Sequence, residues 1–215
     1  MENRGSWYKN LSKGQQYWVR NITPEILKNS MIIDFEGPIE GQPELAGVYY
    51  DNEFTTHFLS PVYESCIDRY ENSEVTTFED FCIWIDFMIE KGYKILAFST
   101  HEGEVLLPHL SNQNISFWYR DAHKYFKRHP RMWIGIKRPS PFTLSSILER
   151  LGIKERQYGE RRASQYLKYA RSQLEEGRSF ENLTRAAKKK LTSVVHYNED
   201  DVCCLREAIL ASFEI

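Results

Sequence analysis

The sequence predicts an α/β protein in which helices flank a mixed sheet. Three short strand-like segments lie near the N-terminus, helical and strand-like segments then alternate, and the last third of the chain is helical in pattern. A chain of 215 residues that is 41% hydrophobic has enough apolar material for one ordinary domain. We therefore predict one main domain over residues 30–215, preceded by an N-terminal extension over 1–29.

The first three predicted strands form a meander. Residues 31–37 make a short apolar strand that ends in acidic residues and a Gly-Pro break. Residues 46–50 and 54–59 have the composition of two further strands, and the turn-forming pair Asp51 and Asn52 separates them.

Helices and strands alternate through the middle of the chain. Apolar residues recur at helical spacing over 77–91, and residues 93–99 form a buried strand pattern. A helical stretch over 105–110 and a short strand over 115–118 follow. One further helix is predicted to begin at Thr23-Pro24. The other predicted helices cover 122–127, 143–151, 160–176, 180–191 and 195–213.

The net charge of −2 hides a strong asymmetry along the chain. Residues 118–196 contain 19 Lys and Arg against 7 Asp and Glu, whereas the remainder contains 9 against 23. A basic stretch of this size is typical of a phosphate-binding surface. The alternative is a solvated helical face that the acidic part of the same fold neutralises.

Composition also limits the location of the protein. No apolar run approaches the roughly 20 residues of a membrane helix, and the polar start lacks the apolar region of a signal peptide. The 4 cysteines are too few for a disulfide scaffold, and no C-x-x-C pair is present. We expect a cytoplasmic protein in a reducing environment that does not contact membranes.

Two acidic residues end the first predicted strand. Asp34 and Glu36 are two positions apart, so both side chains leave the same face while Phe35 points the other way. A carboxylate pair on one face can bind Mg²⁺ or Mn²⁺. The alternative is that acidic residues stand here because they suit a turn.

The last predicted helix carries a second set of polar residues. Tyr197 and Asp201 are separated by four positions and so share a helix face. Val202 and Leu205 place Asp201 beside the buried stripe of that helix. The alternative is an acidic first turn that suits the helix dipole.

Together, the D-x-E strand and the Y-x-x-x-D helix resemble motifs I and III of the DEDDy exonucleases of the ribonuclease H-like superfamily. The run 197–202 (YNEDDV) is most similar to the predicted exonuclease domains associated with RecB-type nucleases. The resemblance spans about 31–213. It implies a ribonuclease H-like mixed sheet, with an additional basic helical insertion at about 155–192 before the last helix.

The resemblance also implies a third acidic motif after the strand over 93–99. Glu102 occupies that place, and Leu106 follows at the usual spacing. The common pattern has Asp there, although the RecB-associated relatives often carry Glu. Glu104 is the alternative acid. Asp121 is predicted to cap a helix rather than to bind metal.

The activity implied by the resemblance is metal-dependent 3′–5′ exonucleolytic hydrolysis of DNA or RNA that has a single-stranded 3′ end. Asp34, Glu36, Glu102 and Asp201 would hold two divalent ions, Mg²⁺ or Mn²⁺, and Tyr197 would orient the attacking water. Two alternatives remain open. One is a non-catalytic nucleic-acid-binding or protein-interaction module that retains the fold, and the other is a structure-specific endonuclease of the same superfamily.

Basic and aromatic side chains of the stretch 118–196 are the predicted substrate contacts. Trp118, Tyr119 and Trp133 are candidates for stacking on bases. The side chains predicted to follow the phosphate backbone are Lys127, Arg128, Arg131, Lys137, Arg138, Arg161, Arg162, Lys188, Lys189 and Lys190.

Overall fold

A computed structural model describes residues 6–38, 41–154 and 162–215. Within these ranges, six strands form one mixed sheet in the order β4-β3-β2-β1-β5-β6. The predicted α/β class with a mixed sheet and flanking helices is confirmed. The strands are β1 (Ser30–Glu36), β2 (Leu45–Tyr50), β3 (Glu53–Phe58), β4 (Ser73–Val75), β5 (Lys94–Ala97) and β6 (Tyr119–Asp121).

Helices precede, interrupt and follow these strands. Short 3₁₀ helices cover Pro61–Arg69, Leu107–His109 and Phe180–Asn182. No helix in the described ranges is both long enough and apolar enough to cross a membrane. The α-helices are α1 (Ser6–Asn10), α2 (Lys13–Val19), α3 (Pro24–Lys28), α4 (Phe78–Glu90), α5 (His101–Leu106), α6 (Ile115–Trp118), α7 (Ala122–Arg128), α8 (Leu144–Leu151), α9 (Ala163–Glu175) and α10 (Arg185–Ser212).

The predicted strands of the meander are confirmed. Strands β2 and β3 pair antiparallel from Leu45 opposite Phe58 to Tyr50 opposite Glu53. The turn residues between them have positive φ angles, 50° at Asp51 and 67° at Asn52. Two such residues make the tight turn that matches the twist of a hairpin, and Asn and Asp tolerate this conformation.

Contacts within the chain divide it into two compact units. The first unit takes its described residues from Met1–Ile32, Trp84–Glu155 and Cys204–Ile215, and the second takes them from Ile33–Ile83 and Arg156–Cys203. In the first unit, β5 pairs in parallel with β6, and Ala97 lies opposite Asp121. The buried side chains of this unit include Trp118, Tyr119 and Phe126.

The core of the second unit joins the meander to the basic helices. Leu45 and Phe58 of the hairpin belong to the same apolar cluster as Leu167 of α9 and Leu191 of α10. Helix α9 therefore contributes one apolar face to the core and leaves its charged side chains on the surface.

Three predictions of secondary structure are wrong. Residues 115–118 are the helix α6 rather than a strand, because the segment that pairs with β5 starts at Tyr119. The two helices predicted over 180–191 and 195–213 are a 3₁₀ turn followed by the single helix α10. Buried positions continue at helical spacing through Leu191, Val194 and Val195, so α10 is not interrupted there. The helix predicted over 105–110 starts earlier, at His101.

Candidate active site

Strand β1 presents its two acidic residues as the alternation predicts. Asp34 and Glu36 are partly buried, whereas Phe35 between them is buried. The ring of Phe35 packs edge-on against Phe78 and Phe81 of α4, with centroid distances of 6.4 and 5.9 Å. Packing of Phe35 against α4 thus fixes the opposite face of β1 as the one that carries both carboxylates.

A residue of helix α10 binds the first of these carboxylates. Asn198 is completely buried, and its side-chain nitrogen donates to Asp34 Oδ2 at 2.8 Å. The same nitrogen donates to the backbone carbonyl of Asp34 at 3.1 Å. Because the amide nitrogen contacts both the side chain and the backbone of Asp34, it fixes the orientation of this carboxyl group.

A glycine of β2 makes room for that asparagine. A Cβ atom placed on Gly47 would lie 2.1 Å from Asn198 Oδ1 and 2.9 Å from Asn198 Cγ. These distances are far below van der Waals contact, so any side chain at position 47 would displace Asn198. The missing side chain of Gly47 is therefore part of the geometry that holds α10 against Asp34.

The predicted residues Tyr197 and Asp201 lie in the same part of α10 as Asn198. Tyr197 precedes Asn198, and Asp201 follows it by three positions, which places Asp201 one turn further along the same side of the helix. Both side chains are partly buried. Within the second unit, the structure thus brings Asp34 next to the helical turn that bears Tyr197 and Asp201.

Glu102 belongs to the first unit and has a different environment. Its side chain lies in the first turn of α5 and is only 5% exposed. Ser99 Oγ donates to Glu102 Oε2 at 3.0 Å, and the Tyr119 hydroxyl, which donates to the Ser99 carbonyl, lies 3.4 Å from the same oxygen. Burial raises the pKa of Glu102, and the charge of Asp121 adds to this effect, whereas His101 and the bond from Ser99 oppose it.

The neighbouring polar residues of the first unit have structural roles. Asp121 is completely buried and accepts a hydrogen bond from the backbone N–H of Lys124, as its predicted role of helix cap requires. The Lys124 ammonium also pairs with Asp121 at 2.6 Å. Glu104, the alternative third acid, is partly buried, and His101 is exposed.

The donor chemistry of the predicted acids fits a hard divalent cation, because Mg²⁺ and Mn²⁺ prefer carboxylate oxygens. Among the residues that the structure describes, however, no group of three or more His, Cys, Asp or Glu side chains is arranged to hold a metal ion. A metal site built from Asp34, Glu36, Glu102 and Asp201 therefore remains a prediction.

Most of the predicted phosphate contacts are exposed. Two lysines have partners within the second unit: Lys188 Nζ donates to the Glu181 carbonyl at 2.7 Å, and Lys190 Nζ lies 3.9 Å from the centre of the Tyr169 ring. Arg131 donates to the Ile215 carbonyl at 3.1 Å. Arg161 lies outside the described residues. The exposed members are Lys127, Arg128, Arg131, Lys137, Arg138, Arg162 and Lys189.

The aromatic part of that prediction is wrong for two residues. Trp118 and Tyr119 are completely buried, so neither ring can stack on a base. Trp118 donates its indole N–H to the Asn112 carbonyl at 2.8 Å, which satisfies its polar atom inside the core. Trp133 is partly buried, and it donates to the Phe126 carbonyl at 2.8 Å.

Sequence reasoning missed two residues of the site, Asn198 and Gly47. A glycine inside a strand indicates close approach of another group, and Gly47 fits that signal. Asn198 stands three positions before Asp201 on the same helix face, where a buried amide requires a partner. The identity of that partner, Asp34, is not encoded locally.

The chain was also compared with known proteins. No protein-family model, curated protein or solved structure matches it. Its function is therefore inferred from its own side chains.

Proposed function

We propose that the protein is a metal-dependent 3′–5′ exonuclease with a ribonuclease H-like fold, which hydrolyses phosphodiester bonds of DNA or RNA. The observation that supports this function is the pair of hydrogen bonds from Asn198 to Asp34, at 2.8 and 3.1 Å. Through this contact the D-x-E strand and the Y-x-x-x-D helix, which are far apart in sequence, lie side by side.

The acidic residues would hold the metal ions. Asp34, Glu36, Glu102 and Asp201 are the proposed ligands of two divalent cations, which when bound would supply an activated water and stabilise charge on the phosphate. Asn198 is a positioning residue for Asp34 rather than a metal ligand. Its side-chain N–H fixes the rotamer of the carboxylate that would bind the cation. A tyrosine hydroxyl donates and accepts hydrogen bonds, so Tyr197 is suited to orient a water.

Substrate affinity would come from the basic side chains. Exposed Lys and Arg residues attract a polyanion, and each one that contacts a phosphate adds to a salt-dependent binding energy. In the second unit, Arg162 and Lys189 are exposed. In the first unit, the exposed candidates lie in and after α7, at Lys127, Arg128, Lys137 and Arg138.

Two observations favour a second candidate function, a nucleic-acid-binding or protein-interaction module without catalysis. The described residues contain no ready-made group of three metal-ligating side chains. In addition, burial raises the pKa of Glu102 and so favours its neutral form, which is not a metal ligand. A module of this kind would keep the fold and the basic surface but hydrolyse nothing.

Digestion of end-labelled single strands distinguishes these functions. DNA and RNA oligonucleotides labelled at the 5′ or the 3′ end would be incubated with Mn²⁺, with EDTA and the variant Asp201→Asn as controls. We expect the 5′-labelled strand to shorten stepwise and the 3′ label to be released at once. Cleavage of a strand with a blocked 3′ end would indicate an endonuclease instead. Intact substrates in every Mn²⁺ reaction would favour the module.

A further inference from the structure

Helix α2, in the N-terminal segment, exposes two large aromatic rings. Tyr17 is 50% exposed and Trp18 is 52% exposed, and their rings meet edge-on with centroids 5.7 Å apart. The next residue, Val19, is completely buried, so α2 is anchored by another face. Contiguous exposed apolar surface marks interaction sites, whereas single exposed apolar residues are ordinary.

A third exposed ring belongs to the helix against which α2 packs. Helix α2 contacts α6, and Phe117 of α6 is 50% exposed. The Lys94 ammonium lies 4.0 Å from the centre of the Phe117 ring, and the Arg20 guanidinium lies 6.0 Å from that of Tyr17. Each of these two rings thus has a cation beside it.

The charge of this region is uniformly positive along the chain. Residues 6–24 contain three basic residues, Lys9, Lys13 and Arg20, and no Asp or Glu. Phe87 of α4 is 51% exposed and also has a cation beside it, the Lys91 ammonium at 5.1 Å from its ring centre, but it differs in standing between Asp86 and Glu90 in sequence. Exposed rings among cations suit a partner that has both flat apolar faces and negative charge.

We propose that Tyr17, Trp18 and Phe117 form a stacking surface for single-stranded nucleic acid. Bases would stack on the rings while Lys13, Arg20 and Lys94 attract phosphates. A duplex does not fit this role, because its bases already stack on each other. These exposed rings would stack on bases in place of Trp118 and Tyr119, which are buried. The partner is the same chemical class as in the proposed function, but binding here requires neither metal nor hydrolysis.

The test measures binding in EDTA, where no cleavage occurs. Fluorescence anisotropy would compare a labelled oligothymidine with an abasic strand that has the same number of phosphates. We expect Trp18→Ala to weaken binding of oligothymidine by about fivefold or more, because stacking on one ring contributes about 1 kcal/mol or more. Binding of the abasic strand should be unchanged, and Trp18→Phe should retain most of the affinity.

Phe87→Ala is the matched control, because it removes an equally exposed ring from the same unit. Equal thermal melts would show that each variant is folded. The proposal is overturned if the wild-type protein binds no oligothymidine, or if Trp18→Ala weakens both strands equally or neither. It is also overturned if Trp18→Ala only turns a dimer into a monomer, since the face would then join two copies.

The two proposals fail separately. Hydrolysis in Mn²⁺ combined with no effect of Trp18→Ala on binding would refute the stacking surface alone. Binding that depends on Trp18, combined with no hydrolysis in Mn²⁺, would refute the exonuclease alone.

Discussion

Asp34 and Glu102 are predicted to serve the same site, yet the two carboxyl groups differ in burial and in the partners that surround them. Asp34 is partly buried and accepts a hydrogen bond from the Asn198 side-chain amide at 2.8 Å, which fixes its orientation. Glu102 is buried, and desolvation raises its pKa, so its neutral form is favoured. The first carboxyl group is oriented by a side chain of α10, whereas burial favours the neutral form of the second.

This difference indicates how a metal would bind. A carboxyl group must lose its proton before it can act as a ligand, so under the proposed function the raised pKa of Glu102 would make metal binding release a proton.

The largest expected effect concerns catalysis. Asp201→Asn keeps the shape of the side chain but removes the charge that would hold a cation. Metal-assisted charge stabilisation contributes several kcal/mol, so the rate of hydrolysis in Mn²⁺ should fall by more than about 100-fold. The thermal melt in EDTA should hardly change. A melt lowered by many degrees would instead give Asp201 a structural role.

The next effect concerns the contact that joins Asp34 to α10. Gly47→Ala would place a Cβ atom 2.1 Å from Asn198 Oδ1, so it should reduce the free energy of unfolding by about 1–3 kcal/mol. Gly14→Ala in α2 is the control, because the nearest atom to its new Cβ is Ser12 Oγ at 3.9 Å. Urea unfolding measures both variants. Equal stability of the two would mean that Asn198 is not held against β2.

A smaller expected effect is the pH dependence of stability that comes from Glu102. Because the pKa of Glu102 is raised in the folded protein, the unfolded chain loses this proton at lower pH than the folded chain. Its contribution to stability is therefore present below the unfolded pKa of about 4.3 and is lost as the pH rises toward the folded value. Glu102→Gln should remove this loss and be more stable than the wild type at about pH 8, as thermal melts in EDTA would show. Parallel melting curves at all pH values would contradict a raised pKa.

The smallest effect concerns the lysine run at the start of α10. Lys188 and Lys190 have partners in the second unit, whereas Lys189 is exposed, so Lys189 is the member most available to a phosphate. Lys189→Ala should lower the slope of log affinity against log salt by up to about one. Lys91→Ala, an exposed lysine outside the basic stretch, should leave the slope unchanged. An identical slope for both variants would make Lys189 a solvated residue without a substrate contact.

Much of the fold could be predicted because its signals are local. Thr23 and Thr143 cap α3 and α8, since each hydroxyl accepts a hydrogen bond from a backbone N–H three residues later. The Asp51-Asn52 turn is also a local signal, because both residue types tolerate the positive φ angles of a tight hairpin turn. Residues 115–118 were assigned wrongly because a short apolar run suits a strand and a buried helix equally.

The site was less predictable because its central contact is not local. Asn198 and Asp34 are 164 positions apart, and no pattern around either residue specifies the other. The burial of Trp118 and the exposure of Trp18 likewise depend on which helix covers which ring. The residue type alone predicts the same degree of burial for both tryptophans, and only the packed structure shows which of them is exposed.

Titration of Mn²⁺ into the metal-free protein tests most directly whether the junction of Asp34 and α10 is a metal site. Calorimetry of the wild type would be compared with Asp201→Asn under identical conditions. The proposed function predicts binding of two ions per chain to the wild type, with that binding lost or strongly weakened in the variant. No heat of binding at millimolar Mn²⁺, or identical titrations of the two proteins, would contradict it.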